Sequence, residues 1–248
     1  MRRIQRSILI DGGTAVTRLA HPGKAIHALT PGEDDESFFL RRFLAPSVLV
    51  VGSGGGREVL LALRNRASHV EAVEINPAIN RIVTGDMAAF LGRLFENPKV
   101  KLFTDEARSF LSRSKERYDV IHCPHTISNA AMASGSLSLA ENYLLTVEAF
   151  GDYMSHLRET GLVLITRPEA HLPRLFSTAR AALEAQSKGP ISSRVIAWRR
   201  PSPGLSFYAG FALRQVPFSK DEIQRFAALL KKQNLEPLYL PGMVSLEP

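Results

Sequence analysis

Short apolar runs alternate with helically spaced apolar positions along most of the chain, the pattern of repeated βα units around a mainly parallel sheet. Val48-Leu49-Val50-Val51 is apolar at every position, as a strand covered on both faces must be, and glycines from Gly52 to Gly56 close it. Glu58 to Arg66 continues as a helix with Val59, Leu60 and Leu63 at helical spacing. His69 to Ile75 reads as the second strand. Asn76-Pro77 then supplies an N-cap and a proline at the first helical position, opening a helix that runs toward Leu94. Val100 to Phe103 is predicted as strand, Ala107 to Ser114 as helix and Tyr118 to Cys123 as strand. Glu141 to Leu157 is predicted as a helix stopped by Gly161, and Leu162 to Thr166 as the next strand.

Farther on, Arg174 to Gln186 reads as helix, and Arg194 to Trp198 and Ser206 to Leu213 as strands. The turn Pro201-Ser202-Pro203-Gly204 is short enough for a hairpin, so one antiparallel strand is expected near the C-terminus. Ser219 and Glu222 form a capping box for a helix from Lys220 to Gln233. Ahead of the α/β pattern, Ser7 to Ile10 and Thr14 to Leu19 read as a small hairpin around Asp11-Gly12-Gly13, and Glu36 to Leu44 as a linking helix. The expected division is a β hairpin and linking helix over 1–45, an α/β domain over 46–240, and a tail over 241–248.

Composition agrees with one α/β domain and a small appendage. A chain of 248 residues, 45% hydrophobic, can bury about 70% or more of its unfolded surface and needs no covalent staple. Cys123 is the only cysteine, which excludes a disulfide framework and a Cys-based structural zinc site and fits a reducing compartment. The charge-free run from Val120 to Ala140 holds Pro124, Asn129, histidines and serines, far from the apolar stretch a membrane span needs. Arg2, Arg3 and Arg6 are followed only by Ile8, Leu9 and Ile10 before Asp11, too short for an export signal, so the expected location is cytoplasmic. The net charge of +7 raises the question of an anionic partner. Yet the 31 basic residues are scattered with no run longer than two, which disfavours nucleic acid and reads as a solvated basic surface, with anionic-ligand binding as the alternative.

The chemistry begins at Gly52-Ser53-Gly54-Gly55-Gly56-Arg57. Glycines after a buried strand let the backbone turn tightly and approach a ligand, in front of a helix N-terminus. A dinucleotide fingerprint would need glycine at position 57, where this chain has Arg57; the spacing at 52, 54 and 56 favours nucleosides without a pyrophosphate, such as S-adenosylmethionine, over NAD. Glu74, at the end of the second strand, can accept hydrogen bonds from both ribose hydroxyls. At the end of the third strand, Asp105 or Glu106 can accept from an adenine amino group, although Asp105 equally suits the cap of the following helix. No metal site or nucleophile triad is visible.

The stretches Val48–Glu58, Val73–Asn76, Thr104–Leu111 and Tyr118–Ile121 resemble the class I S-adenosylmethionine-dependent methyltransferase fold, a Rossmann-like α/β sheet, and specifically its spermidine synthase (polyamine aminopropyltransferase) branch. Ile8-Leu9-Ile10-Asp11-Gly12 is similar to the hairpin that precedes that core, and Leu139 to Phe150 to spermidine synthase-like bacterial proteins. The resemblance implies S-adenosylmethionine or its decarboxylated form as bound substrate, with no metal. It implies a nucleoside site of Gly52, Ser53, Gly54 and Gly56, of Glu74 and Ile75, and of Asp105, Glu106 and Ala107.

The chain departs from that branch after the fourth strand, where aminopropyltransferases carry D-x-x-D. Counted from Tyr118-Asp119, those places fall on Pro124 and Ile127. The family's substrate-side Gln and Tyr are also missing, with Ala15 or Val16 and Phe38 or Phe39 nearby. The candidates that remain for catalysis are His125 as a general base, with Glu141 and Tyr143 across the loop. Glu141 equally suits a helix N-terminus and Tyr143 the packing beneath it. His122 and Cys123 read as core. The expectation is a transferase of this nucleoside class, acting on a small-molecule acceptor, without the family's acid pair. Its alternatives are a small-molecule methyltransferase and a non-catalytic nucleoside-binding or assembly module. The acceptor and the oligomeric state, a homo-oligomer included, stay open.

Overall fold

The computed structural model of the protein describes residues 5–10, 15–23, 25–30, 32, 34–124, 143–200 and 208–243. Strands β1 (Ser7–Ile10) and β2 (Ala15–Arg18) pair antiparallel as a separate small sheet. Then α1 (Asp35–Leu40) leads into β3 (Ser47–Val51), α2 (Arg57–Arg64), β4 (His69–Glu74), α3 (Pro77–Thr84), β5 (Val100–Thr104), α4 (Ala107–Arg113) and β6 (Tyr118–Cys123). Beyond residue 142 come α5 (Val147–Ser155), β7 (Leu157–Pro168), α6 (Leu172–Ala185), β8 (Val195–Arg200), β9 (Tyr208–Arg214), α7 (Lys220–Lys232) and β10 (Glu236–Tyr239).

Eight strands form one sheet in the order β10-β8-β9-β7-β6-β3-β4-β5. β5, β4, β3, β6 and β7 pair in parallel, and β9 enters antiparallel between β7 and β8, as the hairpin reading anticipates. The turn at 201–204 lies outside the described residues. The short β10, not anticipated, adds a further antiparallel edge against β8. Chain order reverses between β3 and β6, which makes the carboxyl ends of these strands the switch-point crevice where open α/β sheets as a rule bind ligands.

Alternation along the strands divides the core. Val48 and Val50 face α1, α2, α3 and α7, whereas Leu49 and Val51 face α4, α5 and α6. The all-buried β3 is the consequence of helices on both faces. Phe39 of α1, Trp198 of β8 and Phe226 of α7 close the first layer, with ring centroids about 5 Å apart, 5.3 Å, 4.9 Å and 5.0 Å in the three pairs.

Several expected boundaries move, each for a local reason. The helix opened by Asn76-Pro77 stops at Thr84, with Gly85 as its C-cap, instead of running to Leu94. Turns follow, and Gly92 takes a left-handed conformation. The helix expected from Glu141 is interrupted: Tyr143 and Leu144 are helical, a turn follows, and α5 starts afresh at Val147, where the Thr146 side chain accepts from Ala149 N–H and caps it. Gly161 does not stop that helix. It lies inside β7, which starts at Leu157 and bulges between its pairings with Tyr118 and Val120. The linking helix is shorter than expected, ending at Leu40 after an Asp34 cap. The Ser219–Glu222 capping box forms as read.

Candidate functional site

The glycine loop between β3 and α2 sits at the crevice. Gly52, Gly54 and Gly56 all take left-handed φ, which side chains rarely allow. Each amide of the loop is satisfied within the protein. Gly52 and Ser53 N–H donate to Val73 C=O, Gly54 N–H to Glu74 Oε2, Gly55 N–H to Thr17 Oγ1 and Gly56 N–H to Ser53 C=O. A phosphate cradle needs such amides free and aimed at the ligand, so the loop is built for close approach and not for anion capture. The Ser53 side chain is buried and its Oγ has no hydrogen-bond partner.

Glu74 ends β4 with its carboxylate buried and fixed by two amides: Gly54 N–H at 3.0 Å on Oε2 and Asn76 N–H at 2.9 Å on Oε1. Each oxygen keeps a further lone pair for a ligand hydroxyl. Ile75, beside it, exposes 62% of its surface, an apolar face presented to solvent at the strand end. After β5 the helix cap, one of the two roles open to Asp105, falls to its neighbour. Glu106 is the N-cap of α4, accepting from Arg108 and Ser109 N–H, while Asp105 pairs with Arg113 and accepts from Glu106 N–H. The longer Glu106 side chain reaches both cap amides, which leaves Asp105 at the rim of the crevice, its own N–H donating to Glu74 C=O. Ala107 is buried at the start of that helix.

The structure therefore brings Gly52, Ser53, Gly54, Gly56, Glu74, Ile75 and Asp105 to one end of the sheet. His125 and Glu141 lie outside the described residues. Tyr143 neither packs beneath α5 nor is buried; it is exposed, with the Arg108 guanidinium 5.3 Å from its ring centroid. His122 and Cys123 are core, and burial pushes the Cys123 thiol up to about 12. Asp119 belongs to the opposite end of the sheet, accepting from Ser47 N–H and Arg158.

One cluster escapes sequence reasoning. Asp35 and Glu36 of α1 are buried against the carboxyl ends of β6, β7 and β8. Glu36 meets Arg57 Nη2 at 2.6 Å, Arg200 Nη2 at 3.1 Å and Thr166 Oγ1 at 3.1 Å, with His122 Nε2 at 3.6 Å, beyond hydrogen-bond range. Asp35 takes Arg200 in a two-point fork and the Trp198 indole N–H. Burial acts to raise the Glu36 carboxyl, but His122, Arg200 and Arg57 outweigh it and hold it well below the ordinary carboxylate range. The signal was the acid run Glu33 to Glu36, set one residue ahead of the apolar Phe38-Phe39-Leu40. Its partners stand far along the chain. Beside the cluster, buried Arg167 donates to the Cys123, Pro124 and Thr166 carbonyls and so holds the chain as it leaves β6.

Among the described residues no group of three or more His, Cys, Asp or Glu is placed to hold a metal ion, and no helix is long and apolar enough to cross a membrane.

No protein-family profile matches the chain. The polyamine aminopropyltransferase of Korarchaeum cryptofilum is 23% identical over 133 residues, which is 52% of this chain and 37% of that protein. The spermidine synthase of Thermotoga maritima superposes with a TM-score of 0.51 at 14% identity. A spermidine synthase in complex with the transition-state analogue AdoDATO gives 0.51 at 15% identity. Both superpositions cover 76% of this chain and 61% of the other. The chain thus spans well under two thirds of the curated relative and about three fifths of the two solved chains. Over about three quarters of its length the chain therefore shares the α/β fold of these two spermidine synthases.

Proposed function

We propose that the protein binds S-adenosylmethionine or its decarboxylated form and transfers an alkyl group from its sulfonium to a small acceptor. The observation that carries this reading is Glu74: a buried carboxylate clamped by Gly54 and Asn76 amides at the end of β4, with Ile75 exposed beside it. A ribose diol suits the free lone pairs of that carboxylate, and an adenine face suits Ile75. Ser53 Oγ, buried without a partner, is a polar group that a bound nucleoside can satisfy. The internally paired loop amides fit a ligand without phosphates. Such a sulfonium supplies an electrophilic carbon and a neutral thioether leaving group; the chain's part is to orient it and exclude water.

One observation favours methyl transfer, or another acceptor without multiple positive charges, over aminopropyl transfer to a polyamine. Glu74 apart, the acids described at the carboxyl end of the sheet are already matched. Asp35 and Glu36 hold Arg57 and Arg200, Asp105 holds Arg113, and Glu106 caps α4. Calorimetry with S-adenosylmethionine, 5′-methylthioadenosine and NAD tests the nucleoside site. The sulfur nucleosides are expected to bind and Glu74→Ala to weaken them by about 1–3 kcal/mol, the range for hydrogen bonds to a charged group. Equal or tighter binding of NAD would refute the reading.

A further inference from the structure

The strand β2 lies outside the main sheet, yet it touches the glycine loop at the point where the loop turns. Thr17 Oγ1 accepts from Gly55 N–H at 2.9 Å, and Gly55 C=O accepts from Ala20 N–H at 2.9 Å, so this one residue is held through both its backbone groups by the N-terminal segment. The approach is close enough to account for two of the glycines. A Cβ on Gly54 would stand 2.7 Å from Thr17 Oγ1, and one on Gly55 would fall on the Arg18 carbonyl. The next amide along, Gly54 N–H, is the one that fixes Glu74 Oε2 at 3.0 Å. A continuous path therefore runs from the Thr17 hydroxyl through Gly55 and Gly54 to the carboxylate. Its outer end is anchored as well: His21 stacks on Phe90 with centroids 4.7 Å apart, and its Nδ1 donates to the Phe90 carbonyl at 2.8 Å.

We propose that Thr17 is a positioning residue for the ribose, acting through the glycine loop to aim the Glu74 carboxylate. This rests on the nucleoside-site reading given above. A run of glycines has the greatest backbone freedom of any sequence, so its conformation depends on what grips it from outside. Gly52 and Ser53 are gripped by Val73 C=O on the β4 side. On the outer side the grip is Thr17 and Ala20. Without the hydroxyl, the Gly55 N–H loses its acceptor and the 54–55 peptide can rotate, which frees the Gly54 backbone angles that also set the adjoining 53–54 amide, the one that orients Oε2. Glu74 stays buried and charged but is no longer set for two adjacent hydroxyls. Loss of the Thr17 hydroxyl therefore weakens discrimination for the diol more than general affinity for the adenine and thioether.

The test uses 5′-methylthioadenosine and its 2′-deoxy counterpart, titrated calorimetrically into wild type, Thr17→Val, Thr17→Ser and Glu74→Ala, with thermal melting of each free protein. Wild type should prefer the diol by about tenfold, the factor expected for one hydrogen bond to a carboxylate. Thr17→Val should weaken 5′-methylthioadenosine roughly fivefold or more and cut the diol preference to about threefold or less. Thr17→Ser, which keeps the hydroxyl, should stay near wild type. Glu74→Ala should lose the preference with Thr17 intact. Thr17→Ala removes the hydroxyl without filling its place and gives the same reading if the valine variant folds poorly. Equal loss for both nucleosides, with the diol ratio unchanged, would show a merely structural role and overturn the proposal. Binding that Thr17→Val leaves intact overturns it alone; failure of wild type to bind either nucleoside overturns the site reading and this one together.

Discussion

Glu36→Gln is the substitution with the clearest expected consequence for stability. The side chain is fully buried and ties α1 to the N-terminus of α2 through Arg57, to β7 through Thr166 and to β8 through Arg200. Glutamine keeps the shape and one acceptor but presents an amide N–H₂ where a guanidinium now finds an oxygen. Breaking a buried ion pair from one side typically costs about 3–5 kcal/mol. The lower end applies here, because Arg57 is 54% exposed and keeps Glu58 at 2.7 Å, and Arg200 keeps its two-point contact with Asp35. About 3 kcal/mol corresponds to a fall in Tm of about 6–12 °C for a domain of this size. The pH dependence fixes the cause. The folded carboxyl titrates well below its unfolded value, so Glu36 contributes stability that is present above about pH 4.3 and lost as pH falls through the folded value. The neighbouring groups that share this charge balance are Arg57, Arg200, Asp35 and His122. Differential scanning calorimetry from pH 3 to pH 8 should therefore show the largest gap between wild type and variant near neutrality and a narrowing gap below about pH 4. A fall in Tm below about 2 °C at pH 7, or a gap that widens on acidification, would refute the buried-cluster account.

Three further outcomes are expected. Putrescine incubated with decarboxylated S-adenosylmethionine should give little or no spermidine by mass spectrometry, since a primary amine is only on the order of one part in a thousand neutral at pH 7 and the described acids are engaged elsewhere; turnover within about 1–1000 per second would refute it. Gly55→Ala should abolish nucleoside binding and lower Tm, because the added methyl falls on the Arg18 carbonyl; wild-type affinity in the folded variant would show that the loop moves freely against β2. Cys123, buried with its thiol pushed up to about 12, should resist iodoacetamide in the native protein and react on unfolding; rapid native alkylation, read by mass spectrometry, would contradict its placement in the core.

The parallel half of the sheet was legible because its signals are local. Val48 to Val51 can be recognised as a doubly covered strand from four residues, and Asn76-Pro77 and Ser219–Glu222 carry their caps within one turn. The errors fall where a distant neighbour outvotes the local pattern. Gly161 looked like a helix stop, but a Cβ there would stand 2.9 Å from the Tyr118 carbonyl and 3.1 Å from that of Asp119, so the glycine serves the close approach of a bulged strand. The run from Met87 to Phe95 has apolar residues at helical spacing. It nevertheless breaks into turns, because Gly85 ends α3 and Gly92 takes a left-handed conformation against Pro22. The edge strand β10 has only four residues and a proline, and its pairing with β8 supplies what its own sequence does not.

The glycine loop and Glu74 were legible for the same reason: glycine spacing and a strand-end acid are short-range features, and the fold sets them side by side at the ends of β3 and β4. What was not legible is everything that depends on charge balance. From sequence, the missing D-x-x-D suggests a pocket poor in acids. The structure instead buries two acids from α1 at that end of the sheet and cancels them with Arg57 and Arg200. Glu36 and its partners at 122, 166 and 200 have no spacing that could mark them as one group; only the stacking of β6, β7 and β8 beneath α1 does. The distinction has a chemical consequence. A desolvated ammonium needs a carboxylate with no other cation to serve. Glu74 is held only by amides, so the strand-end charge left open to a ligand lies on the side that the proposed reading assigns to the ribose and not to the acceptor.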